Sequence, residues 1–351
     1  MAVKRISITE FVSMMEQYPI LDVRSPLEYA HAHMKNAYSL PLFTDEERKV
    51  VGTAYKQQGK QPAIKLGLNY FGVKMAAMVS EVESLLAASP DPNNKVVLVH
   101  CWRGGMRSAG VAWLLDLYGY TVYTLAGGYK AYRNWVLAQF MLPYQCKVLG
   151  GFTGSGKTET LQSLKALGQP IIDLEGLAHH KGSTFGNLGQ PAQPSQEQFE
   201  NLLAQSLFKI HSEHHYVWVE DESRRIGLVN IPTQLFEQMR KSKLYFLDIP
   251  FASRLQFIVS GYGKFEKDQL MSAILRIKKR LGGLETKTAI NYLIEDDIIN
   301  SFSVLLVYYD KLYLKGAYNR ENSENLIHKI EVPTVDAAAN AATLLASSGL
   351  Q

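Results

Sequence analysis

Val96-Val97-Leu98-Val99-His100-Cys101-Trp102-Arg103-Gly104-Gly105-Met106-Arg107-Ser108 decides how the chain reads. Apolar, β-branched residues run up to a cysteine, two arginines and a glycine pair follow, and an apolar helical pattern starts at once. The run predicts a buried strand that delivers a thiol into a tight loop at a helix N-terminus. Successive N–H groups in such a loop form an anion-binding nest, reinforced by the helix dipole. Arg103 and Arg107 add positive charge, so thiolate is favoured over thiol. A cysteine at a strand end is most often structural; the glycines and arginines packed around this one carry the reactive reading. Cys101 is thus the candidate nucleophile or chalcogen carrier, with Trp102, Arg103, Gly104, Gly105, Met106 and Arg107 as its anion loop.

Working outward, residues 20–24, 37–42 and 120–124 read as further strands. Thr9 is the expected cap of a first helix, Ser25-Pro26 starts a second, and Thr44 to Glu47 is a capping box whose helix ends at Gly59. An amphipathic stretch over 70–88 leads through turn-rich residues 90–94 into the cysteine strand. Gly119 caps the helix after the loop, and Gly127-Gly128-Tyr129 opens a last one to about Phe140. Alternating strands and helices imply a small parallel α/β sheet with the cysteine at its C-terminal edge, where such sheets hold ligands.

Pro143 marks a boundary, after which Cys146-Lys147-Val148-Leu149-Gly150 restarts as a strand. Cys146, inside that strand, reads as a small buried hydrophobe. Gly151-Phe152-Thr153-Gly154-Ser155-Gly156-Lys157-Thr158 then satisfies the phosphate-loop pattern in full. Gly151, Thr153, Gly154, Ser155, Gly156, Lys157 and Thr158 are the candidate diphosphate-binding residues, with Thr158 placed for Mg²⁺. Asp173 should emerge from the next strand near the phosphates. The strand ending Glu220-Asp221 supplies an acid of the Walker-B kind, with the choice between the two open, and Arg224 and Arg225 are a phosphate or RNA clamp or else a solvated helix start. His179 and His180 lack partners for a zinc set and read as a solvated or RNA-facing loop. Residues 276–280 form a basic patch on a helix, 330–332 an edge strand, and an Ala-rich helix ends the fold.

At 351 residues, two domains are expected, and 46% hydrophobic with 20% charged content is ordinary for a globular protein. No apolar run reaches membrane-span length, and Met1 to Arg5 leads into no signal-peptide core. Two cysteines argue against a disulfide framework and for a cytoplasmic location. A net charge of +4 permits a nucleic-acid partner without requiring one. No haem, flavin or zinc is expected, and no metal site is firmly assigned.

Leu21-Asp22-Val23-Arg24-Ser25-Pro26, Glu28-Tyr29, His33, Asn36-Ala37 and the Cys101 loop resemble a rhodanese domain, a family that carries sulfane sulfur or selenium on the loop cysteine. By that resemblance Asp22 and Arg24 are a structural pair. The P-loop, His179-His180-Lys181-Gly182-Ser183, Phe185-Gly186 and Glu220-Asp221-Glu222-Ser223-Arg224 extend the resemblance across the chain to the bacterial tRNA 2-selenouridine synthases. The fold implied is a rhodanese-like parallel-sheet domain over 1–140, then a P-loop NTPase/kinase-like parallel-sheet domain over 144–351 with a helical C-terminal part.

The resemblance implies a substrate tRNA for Lys, Glu or Gln carrying 2-thiouridine at wobble position 34. Its sulfur is geranylated from geranyl diphosphate, and the S-geranyl group is then replaced by selenium from selenophosphate. A selenophosphate supplier is the implied partner, and a monomer is expected. Trp102 reads equally as a base-stacking platform or as packing. Two rivals stand beside this reading: a sulfurtransferase fused to a small-molecule kinase, and a nucleotide-switched sulfur-relay binding module.

Overall fold

A computed structural model describes residues 3–88, 91 and 94–349. The turn expected at 90–94 lies largely outside the described residues. The chain divides into two compact units, Met1–Ala138 and Gln139–Gln351.

In the first unit, β1 (Lys4–Ile6), β2 (Ile20–Asp22), β3 (Ala37–Ser39), β4 (Val96–His100) and β5 (Thr121–Leu125) form one parallel sheet in the order β1-β5-β4-β2-β3. The apolar strand β4 sits at its centre, paired on both sides by β2 and β5. Val97, Leu98 and Val99 are fully buried there, because helices cover both faces of such a sheet. The three-residue edge strand β1 is too short and too charged to announce itself in sequence.

Two local expectations are corrected. Ser7, not Thr9, caps the first helix: its hydroxyl accepts the Glu10 N–H, and the Glu10 carboxylate accepts the Ser7 N–H at 2.8 Å. The stretch 70–88 is not one helix but the end of Lys60–Gly72 followed, after a break, by Met75–Ala87. The Thr44 capping box forms as read, and the helix Asp45–Gln57 stops just before Gly59.

In the second unit, β6 (Cys146–Gly151), β7 (Ile171–Ile172), β8 (Val217–Glu220), β11 (Leu244–Asp248) and β12 (Ile327–Glu331) form a parallel sheet in the order β12-β11-β6-β8-β7. A small antiparallel ribbon, β9 (Arg225–Ile226) with β10 (Val229–Asn230), lies apart from it. The apolar strand β6 is central, so the P-loop leaves the middle of the sheet's C-terminal edge. Helices Phe251–Tyr262, Lys267–Leu281, Gly283–Ile294 and Ile298–Tyr318 build a separate core around Leu270, Ile274, Phe302 and Leu306. The Ala-rich helix Ala337–Ser347 packs on the P-loop helix Lys157–Ala166.

Asp22 and Arg24 are 0% and 1% exposed and form a buried pair, Arg24 Nη2 lying 2.5 Å from Asp22 Oδ2. Arg24 also donates to the Ala32 carbonyl at 2.7 Å and stacks over the Tyr129 ring at 3.7 Å. Asp22→Ala leaves that guanidinium buried without its counter-charge. It should cost about 3–5 kcal/mol, read as an earlier urea transition of the first unit. A loss under about 1 kcal/mol would show instead that water enters and solvates Arg24.

Candidate active sites

The first site is the Cys101 loop. It begins at the end of β4, and the helix Met106–Leu117 follows it. The loop is held by the turn at Gly127-Gly128: the Tyr129 N–H donates to the Cys101 carbonyl at 2.8 Å and the Lys130 N–H to the Trp102 carbonyl at 3.0 Å. Gly128 has φ +60°, and a Cβ there would sit 2.3 Å from the Cys101 carbonyl oxygen. That close approach accounts for the glycine pair as more than a helix start.

The Cys101 side chain is nearly buried. Its Sγ lies 3.3 Å from the Ser108 hydroxyl and accepts the Gly105 N–H at 3.4 Å. Burial opposes the thiolate, but hydrogen bonds from Ser108 and Gly105, together with the Arg107 charge, outweigh it and hold the thiol below its ordinary value. Arg107 is not a free anion clamp: its guanidinium donates to Glu28 at 2.7 Å, and that carboxyl is held at about 2, its burial overcome chiefly by Arg107. Arg103, Trp102 and Met106 are exposed around the mouth. Trp102 packs on Tyr129 with ring centres 5.7 Å apart while remaining 37% exposed, which leaves ring area open to a second partner. Ser108 and Glu28, both inside quoted motifs, are the contributors that the sequence reading left without a role.

The second site is the P-loop at the end of β6. Gly151, Gly154 and Gly156 all have positive φ. At Gly154 a Cβ would fall 2.6 Å from Ile258 Cδ1, so the loop lies flush against the helix Phe251–Tyr262. Arg254, 3% exposed, donates to the Thr153 carbonyl at 3.1 Å and forms a two-pronged pair with Asp310 at 2.9 and 2.8 Å. Lys157 Nζ donates to the Gly151 carbonyl at 3.2 Å, and the Thr158 hydroxyl to Glu175 at 2.8 Å.

Among the acids, Asp221 accepts from Tyr313 at 2.7 Å and is ion-paired with Arg320, so it is committed to holding the helical part in place. Glu220 is fully buried; one oxygen accepts the Glu175 N–H at 2.9 Å and the other has no partner. Burial raises Glu220 well above the usual carboxylate range, and Glu222 is pushed up to about 8 by burial and by the neighbouring Glu175.

Several expectations change here. Asp173 does not face the phosphates: it caps the helix Leu174–Ala178, accepting the Gly176 N–H at 2.6 Å, and accepts from Gln162. Glu175, two residues on, takes the place expected of it. Arg225 lies on the antiparallel ribbon, donates to the Gly227 carbonyl at 2.8 Å and is not part of the cavity lining, whereas Arg224 borders the cavity. His180 is buried rather than solvated, because Gly186 and Gly227 close over its ring. Cys146 is buried, and its thiol is pushed up to about 11.

The P-loop opens into a cavity of about 940 Å³. Thr153 to Glu159, Lys181, Glu222 and Arg224 form its polar end. Phe185, Leu188, Tyr262, Phe302, Leu305 and Tyr309 form an apolar wall that sequence patterning could only read as core.

Ser108→Ala removes the side-chain hydrogen bond to the Cys101 thiolate. The midpoint of the pH–rate curve for iodoacetamide alkylation should therefore move up, with a several-fold slower reaction at neutral pH. An unchanged midpoint would assign the tuning to the backbone N–H groups of residues 105 and 108 together with Arg107.

Comparison with known proteins follows this division. Residues 7–134 match the family profile described as rhodanese-like domain, and residues 144–339 the one described as tRNA 2-selenouridine synthase AAA domain. The tRNA 2-selenouridine synthase of Bdellovibrio bacteriovorus is 33% identical over 91% of this chain and 94% of its own. That of Hydrogenovibrio crunogenus is 36% identical over 77% of this chain and 78% of its own. That of Shewanella frigidimarina is 34% identical over 86% and 89%. A solved N-terminal domain from Clostridium difficile 630 is 40% identical over 39% of this chain, with a TM-score of 0.35. With both profiles in order and relatives alike over nearly the whole length, the chain belongs to the tRNA 2-selenouridine synthase family.

Proposed function

We propose that the chain converts 2-thiouridine at the wobble position of a tRNA to 2-selenouridine in two steps, one on each unit. The observation that carries the reading is the cavity of the second unit, where a complete P-loop and a long apolar wall share one space. A nucleotide phosphate needs the first but not the second; an allylic diphosphate needs both.

In the first step the thiocarbonyl sulfur attacks the allylic carbon of geranyl diphosphate. The C–S bond forms, the C–O bond breaks, diphosphate leaves with the electron pair, and the base loses its N3 proton. The P-loop N–H groups and Lys157 would stabilise the charge that grows on the leaving diphosphate. Thr158 and Glu175, whose oxygens are 2.8 Å apart beside the loop, fit a magnesium ion that keeps most of its water. When bound, the ion would neutralise diphosphate charge. Arg224 and Arg240 at the cavity edge, with Phe236 one helical turn before Arg240, offer guanidinium and ring partners to an unpaired nucleotide.

In the second step a selenium nucleophile from selenophosphate adds at C2 and geranylthiol departs. The Cys101 thiolate, favoured by Ser108 and Gly105, would attack the phosphorus of selenophosphate while the loop N–H groups and Arg103 hold the phosphoryl oxygens. The S–P bond forms, the P–Se bond breaks, hydrogen selenide leaves as the nucleophile for C2, and water then frees the cysteine as phosphate departs. Alkylation first is chemically sensible, since a thiocarbonyl sulfur leaves poorly and a thioether sulfur leaves well.

The test is nucleoside mass spectrometry on a 2-thiouridine anticodon stem-loop, with each donor alone and both together. Geranyl diphosphate alone should give the S-geranyl nucleoside, and both donors 2-selenouridine. Lys157→Ala should lose the first product by a hundredfold or more, and Cys101→Ala should keep it and lose selenium insertion. Untouched thiouridine accompanied by ATP turnover would replace this reading with a sulfurtransferase–kinase fusion.

A further inference from the structure

The cavity of the second unit ends on a set of packed rings. Two helices run to them from the P-loop. In Phe251–Tyr262, Arg254 and Ile258 touch the loop at Thr153 and Gly154, and Tyr262 stands one turn further on. In Ile298–Tyr318, the Tyr313 hydroxyl accepts the Gly151 N–H at 3.2 Å, and Phe302 lies on the same helix towards its other end. At 1.5 Å per residue, Phe302 is roughly 16 Å from Tyr313 along that axis.

At the far end the rings of Phe185, Tyr262, Phe265 and Phe302 close on one another. Centroid distances are 5.7 Å for Phe185–Tyr262, 5.6 Å for Phe185–Phe302, 6.0 Å for Tyr262–Phe302 and 6.2 Å for Tyr262–Phe265. Phe185 and Phe302 are each 3% exposed, held in the helical core. Gly189, at φ +69°, lets its loop press on Phe265, where an added Cβ would fall 3.0 Å from the ring. All four rings border the same cavity as the P-loop.

We propose that the Phe185–Tyr262–Phe265–Phe302 cluster is the floor of the tail pocket and sets the length of the allylic chain, admitting geranyl and rejecting a chain one isoprene unit longer. This rests on the reading of the cavity as a prenyl diphosphate site. The sign of the effect distinguishes a floor from an open trough. Each additional buried methylene strengthens binding in an open apolar trough, so farnesyl diphosphate would bind more tightly than geranyl diphosphate. Against packed rings the order reverses, because overfilling a close-packed site forces side chains off their rotamers.

Equilibrium binding of dimethylallyl, geranyl and farnesyl diphosphates, with inorganic pyrophosphate as the tail-less control, tests this on the full chain. Wild type should prefer geranyl over both neighbours. Phe302→Ala, and the half-buried Phe265→Ala, which carries less risk to folding, should each shift the farnesyl-to-geranyl affinity ratio at least tenfold towards farnesyl and leave pyrophosphate binding unchanged. An unmoved ratio in folded Phe265→Ala, or tighter farnesyl binding by wild type, overturns the floor while leaving the prenyl site standing. Wild type that binds all three no better than pyrophosphate overturns the prenyl reading itself, and the floor with it.

Discussion

The hydrogen bond from the Gly151 N–H to the Tyr313 hydroxyl, 3.2 Å long, joins the first residue of the phosphate loop to the C-terminal helical part. The same hydroxyl donates to Asp221 at the end of β8, and Asp221 is ion-paired with Arg320 beyond the helix. Burial and Asp221 push the Tyr313 phenol far above its ordinary range, so it remains a donor at any working pH. From the opposite side Arg254 ties Thr153 to Asp310, on the same helix as Tyr313. The loop that would hold diphosphate and the wall that would hold its tail are therefore braced against each other. A helix shifted by one residue would break both braces and misplace Phe302 together with them. Tyr313, Asp221, Arg254 and Asp310 are all paired in this network, while Arg320 Nε and Nη1 are buried without a partner. Pairing of this kind stiffens a buried network, and stiffness is what a pocket with a defined depth requires.

The two cysteines show how little of a thiol's chemistry is set by burial alone. Both are nearly inaccessible, and in both burial works against the thiolate. Cys101, one step past the end of β4, meets the Ser108 hydroxyl, the Gly105 N–H and the charge of Arg107. Cys146 sits within β6 with its backbone committed to the sheet, and Ser242 alone opposes the burial. Position relative to the strand end decides the matter, because free N–H donors exist only where the ladder has stopped.

That contrast also explains what could be read from residues alone. The cysteine strand, the P-loop and the Thr44 capping box are local: each is specified within a few neighbouring positions, so pattern and spacing suffice. The Asp22–Arg24 pair is reached only through the resemblance to a rhodanese domain, and the Ser7 capping box is passed over for Thr9 two residues on. The three-residue β1 is stabilised by its partner β5 rather than by its own residues, and nothing local marks it. The strand end points to Asp173 and gives Glu175 no role, since which of the two acids caps the helix and which meets Thr158 depends on backbone direction at a strand end. Asp221 and Glu220 are told apart by Arg320 and Tyr313, roughly a hundred residues later, and by the Glu175 N–H that Glu220 accepts. The apolar wall is the hardest case: Phe302, Leu305 and Leu306 recur at helical spacing, and the same spacing would arise from a helix buried on that face with no cavity beside it.

The proposed chemistry places opposite demands on thiols. Selenium transfer needs a soft, ionised sulfur, and an allylic diphosphate is an electrophile that such a sulfur would itself attack. Cys101 belongs to the first unit, and every residue bordering the cavity belongs to the second. The cysteine that does share a strand with the P-loop, Cys146, has its thiol pushed up to about 11. At neutral pH it is ionised to about one part in ten thousand. The first unit therefore raises the nucleophilicity of its cysteine with hydrogen bonds and charge, while the cysteine of the second lies at the start of β6, outside the cavity lining, and is held as a thiol by burial.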